Sequence, residues 1–437
     1  MIDATFDKIN KLVPSKWQWV LNHDGFRRYF KNTGWMFFGQ MFSLLVSFFI
    51  GAWLARYLGP KNYGVFNYAI AFAGLFAFVA PLGVDAILNH DLVANPEKSN
   101  ELMGTAFSLK LFGGFLAFLL ASIFVYFLEA DYLIKLIVVI FSFSFVFMSF
   151  NSIAIFFNAN VESKKNVKVL ITTTFFISIL KIILIIGNFG IIWLAAIYLM
   201  EVFLQAIGYL FIYKKNKFYI KDWYFDKTLA FNILKKSWLL MLASAAAFIY
   251  LKIDQVMIGR MMGATEVGLY AAAVKMADVW YFIPSIICSS LFPAIINAKK
   301  NSDELYRHRL NNLYWFMFIL SAAIALPISF LSKTLMLFIF GSSYVAAASV
   351  LSIYIWAGVG IFLGTAINQY LMSEDMLKAI FILNLSTMII NIILNLYLIP
   401  LIGLNGAAIA TLISYSITPI IILVFNKFIK NKKMIWA

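Results

Sequence analysis

Twelve apolar runs, each about 20 residues or longer, divide the sequence: 34–58, 64–88, 104–128, 133–157, 167–187, 191–213, 237–258, 267–296, 312–332, 346–372, 377–398 and 404–426. Wound as an α-helix at about 1.5 Å per residue, a run of this length matches the roughly 30 Å hydrocarbon core of a bilayer. The runs are continuous rather than alternating, which excludes a barrel, and a helix bonds its own backbone groups inside lipid. An all-α membrane fold follows. Composition agrees, since 63% of residues are hydrophobic and 13% charged, against about 45–50% and 25% in soluble domains.

The net charge of +15 raises nucleic acid as a partner until the basic residues are placed. They fall between the runs. Connections on the side of both termini carry 24 lysines and arginines, and the opposite side carries only Lys61, Arg260 and Lys333. The positive-inside rule therefore puts both termini in the cytoplasm and leaves no role for nucleic acid. Residues 1–33 hold six of these charges without a continuous apolar core, so they do not read as a cleavable signal. Trp17, Trp19, Phe26, Tyr29 and Phe30 interleave with the charges, as in an interfacial segment lying on an anionic leaflet.

Enzyme chemistry finds little support. Cys288 is the only cysteine, and His23, His90 and His308 are scattered without ligand spacing, so no metal site is expected. Walker A, nucleophile-elbow and HExxH sequences are missing, and no cofactor is implied. The connections opposite the termini are too short for a separate domain, the longest running from 333 to 345. Any substrate is expected to be met among the helices.

The second half of the chain echoes the first. At an offset of 204 residues, 54–73 aligns with 258–277, pairing Arg56 with Arg260, Gly59 with Gly263, Gly64 with Gly268, Ala69 with Ala273 and Ala73 with Ala277. Two parallel six-helix lobes are predicted, 34–213 and 237–426, with a leader over 1–33, a cytoplasmic linker over 214–236 and a tail over 427–437. Such repeats place a substrate site near the midplane between them.

Ionisable residues inside spans cost about 2.5–3.5 kcal/mol each and mark candidate sites. Lys110 and Lys181 lie close enough to helix ends to snorkel. Lys275, Asp278 and Glu201 lie about 12–17 Å into their helices. Lys275 and Asp278 are spaced to face each other. Helical spacing sets Lys275, Asp278, Phe282, Ser285 and Ser289 on one stripe of helix eight, and Ser244, Phe248, Lys252 and Gln255 on one of helix seven, with Asp254 adjacent. Helix one shows Gln40, Ser43 and Ser47; helix two shows Asn67, Ala71, Gly74, Phe78, Pro81 and Asp85. An aqueous cavity and close packing by small residues are both consistent with these stripes. Pro81 and Pro284 are candidate bends. Arg56 and Arg260 read as structural, with phosphate contact the alternative. Asp85, Asp254, Asp278 and Glu201 are candidate sites for proton or sodium coupling.

The segment KNTGWMFFGQ leading into LARYLGPKNYGVFNYA resembles the Wzx-type polysaccharide repeat-unit flippases, a branch of the superfamily that contains the MATE drug exporters. The resemblance covers residues 31–430. It implies an inverted V of two lobes that carries an undecaprenyl-pyrophosphate-linked oligosaccharide, an O-antigen or capsule unit, between leaflets by alternating access. Polymerase and chain-length proteins are its implied partners. It also implies a cationic lumen, for which Lys252 and Lys275 fit best, then Lys181 and Lys110, with Phe248, Phe282 and Tyr250 to stack on sugars. A drug exporter would favour an acidic lumen, a lipid II flippase would have two more spans, and a membrane glycan polymerase would want a large outer loop or a His or Asp site.

Overall fold

A computed structural model describes residues 24–299, 302–374 and 376–428. Most of the leader and tail expected from the sequence, including Trp17 and Trp19, thus lies outside the described residues. Everything described is helix, tight turn or short connection. The helices are α1 (Asp24–Gly74), α2 (Val84–Ala94), α3 (Ser99–Leu128), α4 (Tyr132–Phe147), α5 (Asn151–Ala159), α6 (Ser163–Ile186), α7 (Ile191–Lys215) and α8 (Lys227–Met261). They continue as α9 (Ala264–Asp278), α10 (Phe282–Lys299), α11 (Asp303–Phe340), α12 (Ala348–Tyr354), α13 (Ala357–Ser373), α14 (Leu377–Ile402) and α15 (Leu404–Phe428).

Among the described residues, nine helical segments are long and apolar enough to cross a membrane, ten if the pair formed by Ser342–Tyr354 and Ala357–Ser373, bent by 45°, counts as one span. This is a multi-pass membrane protein. The twelve apolar runs lie largely on helix, but α1 covers the first run and the start of the second. It bends at Gly59, whose φ of 67° and ψ of 169° no helix contains. Pro60 follows, lacking the N–H that a helix interior needs but suiting a first helical turn. The repeat partner Gly263 adopts φ 110° and ψ 177° before α9. Both glycines hold a left-handed φ that other residues avoid.

Four predicted runs are interrupted within the helix. The second unwinds between Gly74 and Val84, around Pro81, Leu82 (φ 50°) and Gly83 (φ 69°). Its repeat counterpart breaks between α9 and α10, with Pro284 in the first turn of α10. The fourth run breaks between α4 and α5, where Ser149 Oγ donates to the Val146 carbonyl at 2.8 Å and Ser152 Oγ to that of Ser149 at 2.9 Å. Hydroxyls can satisfy carbonyls freed inside a membrane in this way. The tenth run breaks between α12 and α13.

The helices pack as two compact units, and these cut across the two sequence repeats. Of the described residues, unit 1 comprises those up to Ile50, Val79–Leu119 and Phe143–Ser237; unit 2 comprises Gly51–Phe78, Leu120–Ser142 and those from Trp238 onward. In unit 1, Leu88, Met103, Phe156, Phe157 and Tyr213 form the core. Residues 216–226 fold onto it: Trp223 Nε1 donates to Tyr213 Oη at 3.0 Å, and Gly104 gives the backbone of Tyr224 room to approach. The expected linker is therefore largely helix and docked chain. In unit 2, Phe292, Tyr306, Met317, Phe362 and Ile367 form one core cluster.

Candidate functional site

Unit 2 joins pieces of both sequence repeats, and their contact is symmetric. A β-carbon on Gly64 would overlap the Ala264 carbonyl oxygen and lie 2.6 Å from its carbon; one on Gly268 would overlap the Pro60 carbonyl oxygen and lie 2.8 Å from its carbon. The two paired glycines thus let α1 and α9 touch backbone to backbone. Arg56 donates from Nε to the Ile339 carbonyl at 2.9 Å and from Nη2 to that of Phe338, at the end of α11. Arg260 donates to the Leu128 carbonyl at the end of α3 and lies 3.1 Å from Glu129 Oε1. Each guanidinium caps carbonyls that have no partner within their own helix, on the end of the dipole that favours cations. Tyr68 donates to Glu129 and Tyr344 to the Ala55 carbonyl at 2.7 Å. Both arginines are engaged in holding helix ends.

A second group in unit 2 is the cationic one. Lys252 on α8 and Lys275 on α9 both act electrostatically on Asp278, the last residue of α9, where the broken run begins. All three side chains are at least partly accessible. Lys252 runs past Gly74 and Lys275 ends against Gly51, both on α1. Of the aromatic candidates, Phe248 is exposed and Phe282 opens α10, whereas Tyr250 stacks edge-on against Tyr415 with ring centres 5.2 Å apart.

Asp254 turns the other way, into the unit. Its Oδ2 accepts from Tyr270 Oη at 2.9 Å and Thr411 Oγ1 at 2.6 Å, and its Oδ1 from Asn395 Nδ2 at 2.7 Å. Asn395 Nδ2 also lies 3.1 Å from Asn391 Oδ1. Asp254, Tyr270, Asn391, Asn395 and Thr411 are all buried, and Asn395 Oδ1 has no hydrogen-bond partner. A carboxylate held by two hydroxyls and an amide N–H deep in an apolar bundle is a place where a proton can be taken up or released. Gln255, next in sequence, is buried as well.

In unit 1 the expected residues separate into ion pairs. Lys110 Nζ lies 2.6 Å from Asp85 Oδ1, with the lysine 3% exposed and the aspartate 42%. Asp85 sits in the first turn of α2, beside the unwound stretch, where a carboxylate is favoured by the helix dipole. Gly113, one turn along α3, lets the Val79 and Ala80 carbonyls approach to within 2.6 and 2.7 Å of where its β-carbon would be. Lys181 Nζ lies 2.9 Å from Glu201 Oε2, joining α6 to α7 instead of snorkelling. Gln40 is exposed, and Ser43 Oγ is 3.2 Å from Thr174 Oγ1.

The profile of the polysaccharide biosynthesis protein family matches residues 29–299, more than half of the 437 residues. The chain belongs to that family. Over 196 residues it is 24% identical to the probable low-salt glycan biosynthesis flippase Agl15 of Haloferax volcanii, an alignment covering 44% of this chain. That alignment spans 40% of the relative's own length. Among solved structures, an inward-facing MATE family multidrug resistance transporter superposes with a TM-score of 0.70 at 13% identity, covering 88% of this chain and 94% of its own. The lipid II flippase MurJ superposes with a TM-score of 0.67 at 17% identity, covering 89% and 87%. At these identities the likeness is one of fold, and the fold is MATE-like.

Sequence reasoning missed Tyr270, Asn391, Asn395 and Thr411 around Asp254, and Glu129 beside Arg260. One signal was present. Asn391 and Asn395 stand four apart on an otherwise apolar helix, where each buried amide demands a partner.

Proposed function

We propose that the protein is a flippase that moves a lipid-linked glycan precursor across a bacterial inner membrane, both termini cytoplasmic, by opening alternately to the two leaflets. The observation that carries this reading is the group Lys252, Lys275 and Asp278. In this group, inside the spans, two ammonium side chains stand against one carboxylate. A phosphate or pyrophosphate linked to a polyprenyl chain is an anion that reaches that depth and offsets the cost of keeping the charge there. Family membership and the name of the Haloferax relative support the same reading. A repeat unit of O-antigen or capsule on undecaprenyl pyrophosphate is the substrate proposed, with the polymerase and chain-length proteins of its pathway as partners.

The Asp254 group is the proposed coupling site for a proton or sodium ion, because its carboxylate is buried among three donors and the neighbouring Asn395 Oδ1 is unsatisfied. Asp85 and Glu201 are each held by a lysine and fit that role less well. A drug exporter of the same fold is the second reading, favoured only by the superposition. In cells lacking the protein, lipid-linked units should accumulate in the cytoplasmic leaflet. Restoration of export by Lys252→Ala/Lys275→Ala would count against the cationic reading, and export of cationic dyes without a glycan phenotype would favour the drug exporter.

A further inference from the structure

Glycines of unit 2 lie at close approaches of two kinds. At Gly64 and Gly268 the obstacle to a side chain is backbone, so their purpose is helix packing. At Gly51 it is the tip of a lysine: a β-carbon there would overlap Lys275 Nζ and lie 2.6 Å from Cε, with Cδ at 3.7 Å. The three atoms nearest that β-carbon all belong to the Lys275 side chain. At Gly74 the Lys252 stem lies at ordinary contact distance, with Cγ at 3.4 Å and Cδ at 3.9 Å, so that glycine makes no such room. Both glycines are on α1, where glycine costs about 1 kcal/mol relative to alanine in a helix interior. At position 51 that cost makes room for an ammonium group rather than for another helix.

We infer that Gly51 is a positioning residue for the anionic part of the substrate, seating the Lys275 ammonium where it acts together with Lys252 and Asp278. The assignment rests on the flippase reading above. Because α1 and α9 are held backbone to backbone at Gly64 and Gly268, the seat is a fixed feature of unit 2. An alanine at 51 blocks the notch yet displaces only the flexible end of a side chain, so the fold is spared.

The test compares Gly51→Ala, Lys275→Met and the double variant in nanodiscs, using undecaprenyl pyrophosphate as probe and thermal unfolding as the control for folding. Gly51→Ala should unfold within a few degrees of the parent and bind the probe about tenfold more weakly, the size of one charge-assisted contact. Lys275→Met should weaken binding by a similar factor, and the double variant no further. Unchanged binding by Gly51→Ala, or losses that multiply in the double variant, would overturn the seat. If Lys275→Met itself binds normally, the flippase reading fails at this site and the seat with it. Should Gly51→Ala alone not fold, recovery in the double variant supports the seat, and failure of both refutes it.

Discussion

Replacing Asp254 separates hydrogen bonding from charge at the buried polar group. Alanine removes the acceptor of three buried donors, Tyr270 Oη, Thr411 Oγ1 and Asn395 Nδ2. Two of them have a partial alternative: Thr411 Oγ1 lies 3.0 Å from the Ala407 carbonyl, and Asn395 Nδ2 reaches Asn391. Tyr270 has only Thr411, at 3.3 Å. Charging about 1–3 kcal/mol for each poorly satisfied donor, with a cavity in addition, gives a loss of roughly 3–5 kcal/mol for Asp254→Ala. Asparagine keeps one oxygen for Tyr270 and Thr411 and sets its amide against that of Asn395. Rotation of Asn395 then turns its unsatisfied oxygen toward the new amide at the expense of Asn391. The net loss is about one hydrogen bond, partly offset by no longer burying a charge, so Asp254→Asn should stay within about 1.5 kcal/mol of the parent. Unfolding in mixed micelles measures both. Equal losses for the two variants would refute the hydrogen-bond account, and coupled transport by Asp254→Asn with unchanged ion dependence would remove the residue from ion coupling.

Gly268→Ala meets backbone on the far side and should cost about 1–3 kcal/mol or more in the same unfolding assay, with a loss of transport; a neutral outcome would contradict the close contact of α1 with α9. The Lys110–Asp85 pair should respond unequally, because the lysine is the buried partner: Asp85→Asn strands it at about 3–5 kcal/mol, Lys110→Met costs less, and the double variant recovers much of the loss. Equal single losses without recovery would show that the pair contributes nothing specific. Arg260→Met leaves the Leu128 carbonyl uncapped and Glu129 with Tyr68 alone; at this partly exposed site the loss should be near 1 kcal/mol, and Glu129→Gln in that background should restore part of it.

Much of the fold was legible because lipid allows so few solutions. Run lengths gave the helices, and the offset of the repeat placed Gly59 with Gly263 and Gly64 with Gly268 before their left-handed φ angles and close contacts were seen. The interruptions were only half legible. Pro81 and Pro284 marked two of them, but the breaks after Phe147 and Tyr354 carry no proline and rest on tertiary packing and serine hydroxyls. The site was less legible for a related reason. Asn395 and Thr411 lie 141 and 157 positions from Asp254, and no local spacing encodes such a meeting. The arginines find backbone carbonyls, which every residue has, so their partners leave no trace in the sequence. Lys181 was expected to snorkel because its partner, 20 positions away, belongs to the next helix.

The central claim concerns the lysines of unit 2, and leaflet-resolved transport tests it most directly. The protein would be reconstituted in liposomes carrying a fluorescent glycan on undecaprenyl pyrophosphate in one leaflet, and an impermeant quencher would report its arrival in the other. The parent should transfer the lipid well above protein-free liposomes, while Lys252→Ala/Lys275→Ala, folded and equally reconstituted, should fall to the background rate. Transfer by that variant at the parental rate would contradict the account.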